Sequence, residues 1–136
     1  MTEMTTGMSP IQTAAFWSGL LVLLLVILSI RVVLARQKHR VVLGDGGVPQ
    51  VNVACRVFGN AAEYIPVGVA ALTVLAMLGL PPLAIHGVGA ALFAGRLAHA
   101  VGLNDTRPTA GRLLGMVLTY LALLGAGGML LVHAFV

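Results

Sequence analysis

Arg56, Asn60 and Glu63 fall at i, i+4 and i+7, so on a helix all three project from one face. Tyr64 and Cys55 sit beside that face, and Pro66 follows as a point where the helix can bend. A second group, Arg96 and His99, is spaced i, i+3. Several arginines around one carboxylate suit a ligand with two carboxylates and one ammonium, because the guanidinium fork matches a carboxylate in plane. Asn60 adds both a donor and an acceptor. A ligand thiol held in such a field would be more fully ionised at neutral pH.

The elements that carry these residues are apolar. The 136-residue chain is 59% hydrophobic and 9% charged, with a mean hydropathy of +1.01. An ordinary soluble domain has about 25% charged residues. The composition therefore reads as one integral membrane domain, 1–136, and excludes a soluble globular domain, a disordered chain or a disulfide scaffold. The net charge of +4 comes from eight Lys/Arg against four Asp/Glu. Eight cations are too few for a nucleic-acid groove, so no nucleic-acid partner is expected. One cysteine allows no intrachain disulfide.

Uncharged spans at Ile11–Ile30, Tyr64–Gly95 (divided by Leu80-Pro81-Pro82) and Leu113–Val136 predict four helices near 10–36, 52–79, 82–104 and 110–135. The fold expected is an all-α, integral membrane four-helix bundle. The flank before the first span carries Glu3 and no cation, which argues against a cleaved signal peptide. Arg31, Arg36, Lys38, Arg40, Arg56, Arg96, Arg107 and Arg112 all fall toward one side. By the positive-inside rule the 1–2 and 3–4 loops are cytoplasmic and both termini are non-cytoplasmic. Seven residues of depth separate Glu63 from Arg56, and Arg96 from the end of helix three, or about 10 Å in each case. Glu63 and Arg96 are therefore expected to face one another or a shared cavity.

Arg56-Val-Phe-Gly-Asn60-Ala-Ala-Glu63-Tyr64-Ile-Pro66 resembles the R-x3-N-x2-E-[YF]-x-P signature of the MAPEG superfamily, the membrane-associated proteins in eicosanoid and glutathione metabolism. Gly95-Arg96-Leu97-Ala98-His99 and the four-helix layout agree, and the Gly-Asp-Gly-Gly loop is most similar to bacterial members such as those resembling microsomal glutathione transferase. The resemblance implies a homotrimer in a bacterial inner membrane, with glutathione as co-substrate bound between subunits near the cytoplasmic side. It implies binding roles for Arg56, Asn60, Glu63, Tyr64 and Arg112, to which the cavity reading adds Arg96 and Arg31. Thiolate stabilisation would fall to Arg112, Arg36 or Arg31, or be weak. Two departures stand out. Leukotriene C4 synthase has a second adjacent arginine in helix one where this chain has Gln37. Several eukaryotic members place a tyrosine near the end of helix three where this chain has Leu103.

The function implied is a glutathione-dependent transferase or peroxidase acting on lipophilic electrophiles or hydroperoxides that arrive through the membrane lipids. The alternatives are a small proton-coupled multidrug exporter, or a non-catalytic thiol- or lipid-binding membrane protein. No metal site is expected at His86 or His133, and His39 in the basic loop is expected to face solvent or headgroups. Asp45 and Asp105 are expected in turns or caps, Cys55 as a small buried residue, Phe16 and Trp17 as interfacial anchors, and Gly125, Gly127 and Gly128 at a close helix contact.

Overall fold

The computed structural model describes residues 7–103, 107 and 109–136. Asp105 and Glu3 lie outside the described residues. Four helices follow in order: α1 (Pro10–His39), α2 (Pro49–Met77), α3 (Pro82–Gly102) and α4 (Ala110–His133). Each is long and apolar enough to cross a membrane. The chain is therefore an integral membrane protein built from helices.

The helix ends differ from expectation by a few residues, for local reasons. Pro49 takes the first position of α2, where its missing N–H is not needed, so that helix starts three residues early. It stops at Met77 because Gly79 adopts φ +74. There the amide of Gly79 donates to the Ala76 carbonyl and that of Leu80 to the Leu75 carbonyl, a Schellman closure. Helix α1 runs on to His39 and ends where Arg40 turns left-handed at φ 55. Its start carries a reciprocal cap, with the Gln12 amide donating to Ser9 Oγ at 3.3 Å and the Ser9 amide to Gln12 Oε1 at 2.9 Å. Pro66 lies inside α2, which continues through it.

The helices alternate in direction. α1 rests mainly on α2, and α3 mainly on α4, with α2 also touching α3 and α4; among the described residues α1 and α4 do not touch. Buried residues Ala14, Leu21, Leu24, Leu28 and Val32 mark the inner face of α1. Its outer face of Val22, Leu23, Val26, Ile27, Ile30, Val33 and Leu34 is exposed, as a lipid-facing surface must be.

Between helices in lipid there is little hydrophobic drive, so close approach depends on small residues. The closest approach here is α3 against α4. A Cβ on Gly95 would meet the Gly115 carbonyl oxygen at 2.9 Å, one on Gly102 the Arg112 amide nitrogen at 2.4 Å, and one on Gly115 the His99 amide nitrogen at 2.5 Å. Within the chain, Gly125, Gly127 and Gly128 do not form the expected close helix contact: a Cβ on any of them meets nothing within 4 Å. Their spacing of two and one does not repeat along a face, whereas Gly111, Gly115 and Thr119 recur every four residues.

Trp17 also makes contacts within the bundle. Its indole packs over Gly89, whose Cβ would lie 2.2 Å from the ring, and Nε1 donates to His86 Nδ1 at 2.9 Å. It is a half-buried α1–α3 contact, while Phe16 is exposed beside it.

Gly115→Ala should lower the thermal stability of the detergent-solubilised protein by about 1–3 kcal/mol, since backbone must shift to admit the methyl. Gly125→Ala should be neutral or stabilising, as a helix prefers alanine to glycine by up to about 1 kcal/mol. Equal losses in both would contradict the placement of the clasp.

Candidate functional site

The alternating helices bring the end of α1, the start of α2, the end of α3 and the start of α4 to one end of the bundle. Six of the eight cations stand there or just inside: Arg36, Lys38, Arg40, Arg56, Arg107 and Arg112. An open cavity of about 440 Å³ lies among these ends. Its walls include Val53, Arg56 and Asn60 from α2, His99 and Leu103 from the end of α3, and Arg112 from α4. The α1–α2 loop closes one side with Asp45, Gly47 and Val48, together with Pro49 and Asn52. Small-molecule sites commonly occupy 300–1,000 Å³, so the space suits a tripeptide-sized ligand that remains partly exposed.

The loop has a fixed shape. Gly44, Gly46 and Gly47 take φ values of +65, +60 and +71. Asp45 accepts from the Gly47 amide at 2.9 Å and from Asn52 Nδ2 at 2.8 Å. Asp45 therefore has the turn role expected of it. Arg36 Nε holds the other flank through the Gly44 carbonyl at 3.1 Å.

Beneath the cavity lies Arg96, 1% exposed. Its Nε donates to Thr119 Oγ1 at 2.9 Å, Nη1 to Asn60 Oδ1, and Nη2 to the Gly115 carbonyl at 3.4 Å, with Met116 Sδ also at 3.4 Å. The Thr119 hydroxyl in turn donates to the Gly115 carbonyl at 2.7 Å. The guanidinium carbon stands 4.9 Å from the centre of the Tyr64 ring. One buried cation thus ties α3 to α2 and α4. It also orients Asn60: with Oδ1 turned to Arg96, the amide keeps its two N–H donors for a ligand in the cavity.

The expected Glu63–Arg96 pairing is not formed. Glu63 is exposed and is not among the partners of Arg96. The depth argument fixed height but not direction around the helix. At 3.6 residues per turn Tyr64 lies about 40° beyond Asn60, while Glu63 lies about 60° to its other side. Arg96 approaches from the Asn60–Tyr64 side, and Glu63 points away from it.

The remaining residues separate into two sets. Arg56 and Arg112 are exposed and Asn60 is half-buried, and all three share the cavity. Arg31, Arg36, Glu63 and Tyr64 do not line it. Arg36 instead places Nη2 3.7 Å from Cys55 Sγ, so Cys55 is a half-buried partner of Arg36 outside the cavity. Tyr64 pairs with Tyr120, hydroxyl to hydroxyl at 3.3 Å. The sequence reading missed Thr119, Met116, Tyr120 and the Asp45–Asn52 pair. A threonine four residues after Gly115 in an uncharged span was the one signal for the first of these. His99, whose role the sequence left open, is buried and lines the cavity. Among the described residues no cluster of His, Cys, Asp or Glu is arranged to hold a metal.

Arg96→Lys should lower stability by about 2–3 kcal/mol, because one ammonium cannot reach Asn60, Thr119 and Gly115 together or stack on Tyr64. Thermal unfolding in detergent checks this, and wild-type stability would contradict the network.

A family model described as the MAPEG family matches residues 14–132. The inner membrane protein YecN of Escherichia coli strain K12 is 39% identical over 113 residues, covering 83% of this chain and 86% of that protein. YecN of Escherichia coli O6:H1 matches with the same figures. No solved structure matches the chain significantly.

Proposed function

The chain belongs to the MAPEG family, and from that premise we propose that it is a membrane enzyme that binds glutathione in the cation-lined cavity and presents it as a thiolate to a lipophilic electrophile or hydroperoxide. The observation that carries this reading is the convergence of Arg56, Arg112 and an Asn60 amide oriented by Arg96 on one cavity. A glutathione carboxylate matches the guanidinium fork of Arg56, the Asn60 N–H groups supply a further donor, and Arg112 is left for the sulfur.

Glu63 is a charge exposed on the side of a membrane helix, which is costly unless covered. A homotrimer, as the family resemblance implies, covers it with a neighbouring copy and adds Glu63 and Tyr64 to the rim of the site. Arg31 and Arg36 of one copy then serve the cavity of the next. The cation-rich end faces the cytoplasm by the positive-inside rule, and the membrane is the inner membrane named for the Escherichia coli relative. Glutathione enters from the cytoplasm, and the second substrate arrives laterally from lipid.

Arg112, on the cavity wall, holds negative charge on sulfur. The sulfur lone pair forms the new S–C bond as the leaving group departs. With a hydroperoxide, sulfur takes the distal oxygen, the O–O bond breaks and the alkoxide is protonated. A second glutathione then gives the disulfide and water.

Arg112→Ala should slow conjugation of glutathione with chlorodinitrobenzene by about 100-fold at saturating glutathione, the scale of losing one preorganised charge stabiliser. Steady-state absorbance kinetics measure it. An unchanged rate would remove Arg112 from the chemistry. A wild-type protein that binds glutathione but turns over neither this compound nor cumene hydroperoxide would contradict the enzymatic reading.

A further inference from the structure

We propose, on the reading of the cavity as a thiol site, that Asp45 is its ammonium-binding residue, so that the site selects low-molecular-weight thiols carrying a free primary ammonium. The sequence pointed to Glu63 as the anion for this task. Glu63 is exposed and does not line the cavity, whereas Asp45 does, together with Arg56 and Arg112.

Three features fit Asp45 to the role. Its carboxylate is held in place from both sides, by the Gly47 amide at 2.9 Å and Asn52 Nδ2 at 2.8 Å. Both of these donors are neutral, so they orient the charge without neutralising it. A carboxylate has about four acceptor positions, and two remain after these bonds. The left-handed glycines on either side, Gly44 and Gly46, let the loop place this residue against the start of α2.

The chemistry of the ligand supplies the rest. In an amino acid the ammonium sits on the carbon that bears a carboxylate. An arginine that takes that carboxylate needs an anion on a neighbouring wall to take the ammonium. Asp45, from the loop, and Arg56, from α2, both line the cavity, so one ligand can meet both.

The test compares two peptides by calorimetry on the detergent-solubilised full-length protein. One is glutathione; the other is glutaryl-cysteinyl-glycine, the same peptide without the amine. The wild type should bind glutathione about tenfold more tightly, the scale of one partly solvated charge pair. Asp45→Asn keeps the acceptor for the Gly47 amide and removes the charge. It should lower glutathione affinity about tenfold and leave glutaryl-peptide affinity within about twofold. Equal weakening of both peptides would mean that Asp45 only shapes the loop, and would overturn the inference alone. So would retained discrimination in Asp45→Asn together with its loss in Glu63→Gln, which would return the ammonium to Glu63. A folded wild type that binds neither peptide would overturn the thiol-site reading and this inference with it.

Discussion

A cation 1% exposed inside a membrane bundle must find its partners within the protein, because no water replaces them. Arg96 meets that demand with an amide oxygen from α2, a hydroxyl and a carbonyl from α4, and the face of Tyr64. The helices can supply these groups only if α4 lies close to α3. The absence of side chains at Gly95, Gly102, Gly111 and Gly115 makes that approach possible. The clasp of glycines and the buried arginine are therefore one device. The same guanidinium that joins three helices also sets the orientation of Asn60 at the floor of the cavity. Packing and the floor of the cavity are coupled at a single side chain.

Much of this was legible in the residues. Four apolar spans of sufficient length forced four helices, and the placement of the cations showed which ends lie together. Arg56 and Asn60, one turn apart on α2, share a cavity with Arg112, while Glu63 stays outside it. The partner of Arg96 was not legible, because depth along a helix is a matter of counting while direction around it depends on how neighbours pack. A shift of one residue changes direction by about 100° and height by only about 1.5 Å. The close helix contact was misplaced for a related reason. Glycine content alone drew attention to Gly125, Gly127 and Gly128, but a contact requires the period of four found at Gly111, Gly115 and Thr119. The hydrogen bond from Trp17 to His86 was not legible either, because the two lie far apart in sequence.

The α1–α2 loop shows how few residues a site wall requires. Glycines with positive φ, one aspartate and one asparagine give the loop a defined shape over the cavity. Arg36 secures it from α1 through the Gly44 carbonyl. Positively charged and negatively charged groups thus face a common space from different elements, and their spacing is set by backbone geometry rather than by one pairing with the other. Exposed Arg56, Glu63 and Arg112 leave the outer part of this site open to a neighbouring copy in the proposed trimer.

The proposed glutathione site is the cavity between α2, the end of α3 and the start of α4. A structure of the protein determined in lipid nanodiscs with glutathione bound tests it most directly. Ligand density is expected against Arg56, Asn60 and Arg112, with the Asn60 amide nitrogen turned toward the ligand and Arg96 still buried beneath it. Glutathione bound at another surface, with this cavity empty or collapsed, would contradict it.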